Sequence, residues 1–208
     1  MLISQRLSSR GILHGFLSAS EVDMRLNDGL LTLAEQKPIK LVLPKQVHGT
    51  RVVQPRQLRQ QPADGLWRSG SMSSGMGVRS ADCIPALLTH RSGAVAAIHA
   101  GWRGVDAAIV ERFLLRVARY GYATGGWLVA LGPAAGGCCY EVGSDVASLF
   151  GLPAKQQNLD LRAVLARRLK QVGVGAVELV GGCTICDPNW ASYRRQKQRA
   201  GRNIAFIR

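Results

Sequence analysis

The chain has 208 residues, enough for one sizeable hydrophobic core and short for two full domains. Hydrophobic residues make up 47% of it, which excludes a disordered chain, and no apolar run approaches the ~20 residues needed to cross a bilayer. The formal net charge is +14, with eleven Lys/Arg against three Asp/Glu in residues 155–208. Such a tilt suits an anionic partner, nucleic acid or a phosphorylated small molecule, and equally a solvated basic face.

In chain order, the N-terminus MLISQRLSSRG has no apolar h-region, so the cytoplasm is the expected compartment. Short apolar runs bounded by Gly or Pro predict strands at Ile39–Leu43, Arg51–Gln54, Ala94–His99, Trp127–Leu131, Val177–Val180 and Ile204–Ile207. The Gln-, Ser- and Gly-rich stretch Arg56–Gly77 reads as a loop. Helices are predicted over Val105–Tyr120, stopped by Gly121, over Ser144–Phe150, and over Leu161–Val172 with Asp160 as N-cap. Strands and helices do not alternate strictly. The expected fold is therefore α+β, one domain over residues 1–208 with mixed β-sheets surrounded by helices.

Four histidines are present. His48, in KQVHG, and His99, opening HAGWRG, stand at strand-to-loop transitions, where side chains project from a rigid frame. His14 and His90 lack that setting and read as structural or exposed. Cys83, in RSADCIP, follows the carboxylate of Asp82. Two imidazoles and a thiolate form a zinc ligand set that leaves a fourth position open. The spacings of 35 and 16 residues are not a compact metal motif, so the residues alone leave structural histidines and a buried thiol as the alternative.

The five cysteines are an odd count and argue for free thiols or metal ligands. Cys183-x-x-Cys186 has knuckle spacing, but a knuckle needs a second pair of ligands. Cys138 and Cys139 are adjacent, a poor geometry for two ligands of one tetrahedral ion, so no second metal site is expected there. The GWRG turn at 101–104 leads into a helix, and Arg103 with the turn amides could hold an anion. In LGPAAGGCCYEVG, at 131–143, Glu141 is a candidate proton carrier.

KQVHG (45–49), ADCIP (81–85), HAGWRG (99–104), GPAAGGCCYEVG (132–143), CT (183–184) and SYRR…GR (192–202) resemble, in order and spacing, the YfiH-like laccase-domain family. That family is also labelled polyphenol oxidase or purine nucleoside phosphorylase. The resemblance implies a fold like that of a toxin deamidase domain, and metal ligation by His48, Cys83 and His99. It implies phosphorolysis of adenosine, inosine and methylthioadenosine, deamination of adenosine, and, on an older reading, copper-dependent polyphenol oxidation. Zinc, with copper possible, is the implied cofactor, and a nucleoside and phosphate are the implied partners. Asp82, Cys83, Arg103 and Glu141 are the candidate catalytic residues; Arg103, Arg194 and Arg195 are the candidate substrate-binding ones.

Two departures stand out: Ala19 and its neighbours replace an Arg and a Gly-Gly-Val-Ser stretch, and Gln196 replaces an Asp after SYRR. A multicopper chain cannot be built from four histidines. Two alternatives use other chemistry: a cysteine hydrolase with Cys83 as nucleophile and His99 as base, and a nucleic-acid-binding module on the basic C-terminal third. The latter has only Trp190, Tyr193 and Phe206 for base stacking, so nucleic acid is not an expected partner.

Overall fold

The structure, a computed structural model, describes residues 1–27, 30–33, 37–58, 61–70 and 73–208. Residues 28–29, at the end of the divergent N-terminal segment, 34–36, and 59–60 and 71–72, in the expected loop, lie outside the described residues.

Two six-stranded sheets form the frame. The first runs His14–Leu17, Asn203–Ile207, Gly75–Ser80, Ile39–Val42, Leu30–Leu31 and Leu26–Asn27. The second runs Ala176–Leu179, Trp127–Leu131, Ile84–His90, Val95–Ala100, Gly65–Arg68 and Val52–Val53. Both are mixed: Ile39–Val42 is parallel to Gly75–Ser80, and Ala176–Leu179 to Trp127–Leu131, in otherwise largely antiparallel ladders. The fold is α+β, as expected.

The pleat explains how the layers stack. Every residue of Ile84–His90 is buried, and its side chains alternate between two cores. Leu87 meets Leu66, Ala97, Phe16, Met76 and Ile207 between the two sheets. Ala86 and Leu88 face Phe113, Leu114, Leu165 and Leu169 on the helices Ile109–Ala118 and Leu161–Gln171. A strand buried on both faces carries no polar alternation, and for that reason Ile84–His90 is absent from the predicted strands. Gly65–Arg68 and the first half of Gly75–Ser80, up to Gly77, fall in the stretch expected to be loop. Their glycines are packing residues: a Cβ at Gly65 would lie 3.0 Å from Ile98 Cγ1 and 3.1 Å from the Ala97 carbonyl oxygen.

The helix expected over Val105–Tyr120 is two helices, Trp102–Asp106 and Ile109–Ala118. The break falls at Ala107–Ala108, where Ala108 adopts φ 56°. The Val105 carbonyl accepts from the Ala108 amide at 3.0 Å and also from Arg168 Nη1 at 2.7 Å, so the neighbouring helix ties down the break. Asp160 caps Leu161–Gln171 by accepting from the Ala163 amide at 2.9 Å, as read from the sequence. No helix of the described residues is long and apolar enough to cross a membrane.

Candidate metal centre

The hairpin Ile84–His90/Val95–Ala100 pairs Ile84 with Ala100 and Pro85 with His99. Cys83, one residue before this ladder, therefore emerges beside His99 at its open end. The strand Gly65–Arg68 pairs Gly65 with Ile98 on the other side, which places Asp64 next to His99; the His99 amide donates to the Asp64 carbonyl at 2.7 Å. His48 comes from the turn after the first-sheet strand Ile39–Val42, with φ 60°. One ligand atom from each of His48, Cys83 and His99 lies within 4.8 Å of the other two. The imidazole rings meet edge to face, centroids 4.9 Å apart.

Asp64 is the hub. Its carboxylate accepts from the amides of His48 at 2.8 Å, Gly49 at 2.7 Å and Val47 at 3.2 Å, and from His99 Nδ1 at 2.9 Å. It is fully buried, and although burial opposes ionisation, these donors hold its carboxyl below the usual range. With Nδ1–H donated to Asp64, His99 presents Nε2 toward the cluster, the arrangement of a carboxylate behind a metal-bound histidine. The sequence reading missed Asp64 because it sits in the stretch taken as loop.

Burial alone would push the Cys83 thiol up, yet hydrogen bonds from His48 and His99 bring it down to about 7. Burial alone would depress His99, and its bonds to Asp64 and Cys83 raise it to about 9. The two opposite shifts favour pairing of a Cys83 thiolate with a His99 imidazolium.

The donor set suits a borderline-soft divalent ion. The space also fits: a Cβ at Gly101 would lie 2.9 Å from Cys83 Sγ and 3.1 Å from His48 Cδ2, so only glycine leaves the cradle open. His48 is exposed and His99 buried, giving the cluster one solvent-facing side.

Asp82, at φ 81°, is clamped: Oδ1 accepts from Thr184 Oγ1 at 2.7 Å and Oδ2 from the Arg194 amide at 2.7 Å. Arg194 lies over the buried ring of Tyr140, 5.0 Å from its centroid. Burial, and then the negative charge of Cys83, push the Tyr140 hydroxyl up, which marks how close it stands to the cluster. Glu141, the next residue, is exposed on the two-stranded ribbon Glu141–Val142/Gln157–Asn158. Tyr140 is a neighbour of the cluster that the sequence reading passed over.

Arg103 is exposed, stacked on Trp102 with its Cζ 4.3 Å from the ring centroid. Arg195 donates to the carbonyls of Thr184, Ile185, Asp187 and Trp190. Its guanidinium thus secures the 184–190 loop, whereas the Arg194 guanidinium lies over Tyr140. Gln196, where an Asp was expected, accepts from the Ser192 amide at 2.9 Å and completes the cap of Tyr193–Gln196. His14 and His90 are buried, as structural histidines are. A cleft of about 580 Å³ lined by Arg51, Trp67, Arg116 and Tyr122 contains none of these site residues.

A two-sheet α+β frame with a His–Cys–His cluster at the mouth of a central hairpin, backed by a buried carboxylate, defines a distinct class of protein. The chain belongs to the family described as multi-copper polyphenol oxidoreductase laccase, whose model matches residues 21–208. It is 33% identical over 165 residues to a purine nucleoside phosphorylase of Aquifex aeolicus, covering 77% of this chain and 79% of that protein. It is 37% identical over 177 residues to a purine nucleoside phosphorylase of Pseudomonas aeruginosa, covering 78% and 71%. Among solved structures, a Neisseria meningitidis protein matches with a TM-score of 0.71 and 30% identity, over 81% of this chain and 74% of that one. YlmD of Geobacillus stearothermophilus matches with a TM-score of 0.72 and 28% identity, over 80% and 72%.

Proposed function

We propose that the protein is a zinc-dependent purine nucleoside phosphorylase acting on adenosine, inosine and methylthioadenosine, with adenosine deaminase activity at the same site. The convergence of His48, Cys83 and His99 on one point, with Asp64 fixing the His99 tautomer, carries this reading. Purine nucleoside phosphorylase is also the printed name of the relatives at 33% and 37% identity.

His48, Cys83 and His99 hold the ion and leave one position for water or substrate. Zinc bound there supplies Lewis acidity. Arg194 and Arg103 orient phosphate by charge-assisted hydrogen bonds. Asp82, fixed by Thr184 and the Arg194 amide, holds its carboxylate beside Cys83, and it or Glu141 moves the proton.

The test is elemental analysis of the purified protein together with an assay of adenosine and inosine in phosphate buffer. The expected outcome is zinc at this site, and free base formed with ribose 1-phosphate. Both are lost in a His48→Ala/His99→Ala variant. Stoichiometric copper with phenol oxidation and no nucleoside turnover would replace this reading by the oxidoreductase the family description names. The thiolate–imidazolium pair of Cys83 and His99 favours one more reading, a cysteine hydrolase. Full activity in chelator-treated, metal-free protein would establish that one instead.

A further inference from the structure

The four cysteines outside this centre come together. Cys138 and Cys139 lie in the turn between Trp127–Leu131 and the ribbon; Cys183 and Cys186 lie in the turn after Ala176–Leu179. The two turns are stitched by a parallel bridge between Ala134 and Cys183 and by the Thr184 amide donating to the Ala134 carbonyl at 3.0 Å. The four sulfurs all lie within 4.8 Å of one another, with Cys186 Sγ 2.9 Å from Cys139 and 3.4 Å from Cys138. Adjacent cysteines were expected to be unable to share an ion. The turn resolves that difficulty, since both thiols reach the same sulfur of the facing loop.

We propose that Cys138, Cys139, Cys183 and Cys186 form a closed tetrathiolate site for one structural zinc ion, separate from the His48–Cys83–His99 centre. Four thiolates at about 2.3 Å from an ion stand about 3.8 Å apart, within the span of this cluster. Cys183 Sγ accepts from the Gly136 amide at 3.2 Å, so the facing turn already supplies this sulfur with a backbone donor, as a metal-binding knuckle does. Gly136 keeps the cradle open: a Cβ there would lie 3.1 Å from Cys183 Cβ and 3.4 Å from Cys138 Sγ. The Arg195 guanidinium, seated on the Thr184 and Ile185 carbonyls, opposes the negative charge of such a complex. Disulfides would join these sulfurs only in pairs and would need an oxidant. Zinc joins all four, and binding releases their thiol protons without any redox change.

The site has a structural consequence. Thr184, between Cys183 and Cys186, donates to Asp82 beside Cys83. An ion clamping the two turns fixes the hydroxyl that positions Asp82.

The test uses the full chain purified under reducing conditions, with zinc measured per chain in the parent, in His48→Ala/His99→Ala and in Cys138→Ser/Cys186→Ser. The proposal expects the histidine variant to retain about one zinc, and the serine variant to lose about one relative to the parent. The retained zinc is independent of the first centre, so failure of that centre alone would leave this result intact. Should the serine variant not fold, alkylation of the parent decides. Shielding of Cys138, Cys139, Cys183 and Cys186, mapped residue by residue in the zinc-bound protein and lost after chelation, supports the site. A metal-free histidine variant with freely reactive thiols, stoichiometric iron in place of zinc, or a Cys139–Cys186 disulfide in non-reducing mass analysis would overturn it.

Discussion

The two sulfur-bearing clusters are built on opposite plans. The His48–Cys83–His99 cluster sits at the ends of paired strands, has three ligands, and is backed by a carboxylate that is itself held by four N–H donors. The four-cysteine cluster sits on two turns, has four ligands of one kind, and is supported by the Gly136 amide and by the Arg195 guanidinium on the Thr184 and Ile185 carbonyls. On the roles proposed above, three ligands on a rigid frame would leave a coordination position open, and four ligands on turns would close the coordination sphere and stiffen the chain. Ligand count and supporting residues, more than ligand type, would then separate a reactive centre from a fastener.

The largest effect that would sharpen this contrast is expected from Cys83→Ala. Removing the thiolate removes the ion, and turnover should fall on the order of 10³-fold or more. Zinc at the four-cysteine cluster should persist, as read by elemental analysis. Undiminished phosphorolysis in this variant would break the assignment of roles.

Asp64→Asn comes next. The amide is nearly isosteric but uncharged, so the His99 tautomer and the His48–Gly49 turn lose their anchor. Metal affinity at this centre or turnover should fall about 10- to 100-fold. Zinc titration monitored by calorimetry would show it, with the four-cysteine cluster unchanged as the internal control. An unchanged affinity would mean that the carboxylate serves the turn and not the ion.

The pH response separates the clusters more gently. In metal-free protein, His99 is raised to about 9, so its contribution is fully present below its ordinary value near 6.5 and is lost as pH rises through 9. Cys83 is lowered to about 7, so its contribution is present above its ordinary value near 9 and is lost as pH falls through 7. The two describe one ion pair. As pH rises from about 7 to 9 the His99 contribution falls while the Cys83 contribution grows, so the two offset and the stability of metal-free protein should change little across that window. Urea midpoints across pH would measure it, and Cys83→Ala should remove the offset and leave only the loss of the His99 contribution as pH rises. A profile equally flat in that variant would show that the two groups do not form a pair.

How far this contrast was legible in the sequence depends on where the signal lies. The strands Trp127–Leu131 and Asn203–Ile207 stand out as short apolar runs, and His48, Cys83 and His99 as residues at strand ends inside a recognisable set of blocks. Asp64 was hidden because its neighbour Gly65 is a strand residue with the composition of a loop; only the close approach of Ile98 explains that glycine. The helix break at Ala108 carries no Pro or Gly, since it is imposed by packing and by the Arg168 donor. Cys138 and Cys139 were discounted on a rule about adjacent ligands, which assumes an extended backbone; here the amides of Cys139 and Tyr140 both donate to the Gly136 carbonyl in a tight turn. Thr184 stands in the CT block, but its role was not legible there, because its partner Asp82 is 102 residues away.

Thr184 is also where the two clusters meet, and Thr184→Val is the smallest and most discriminating perturbation. Valine keeps the shape and deletes the hydroxyl, so Asp82 retains the Arg194 amide and loses one charge-assisted bond. Turnover should fall about 10-fold, with zinc content and KM unchanged, because the lost interaction positions a carboxylate and binds neither ion nor substrate. Combining it with Cys138→Ser/Cys186→Ser decides whether the fastener acts through this residue. If the four-cysteine cluster influences the reactive centre by fixing Thr184, the loss in the combined variant should be no greater than the larger of the separate losses. Separate losses that simply multiply would show that the clusters share a loop without sharing a function.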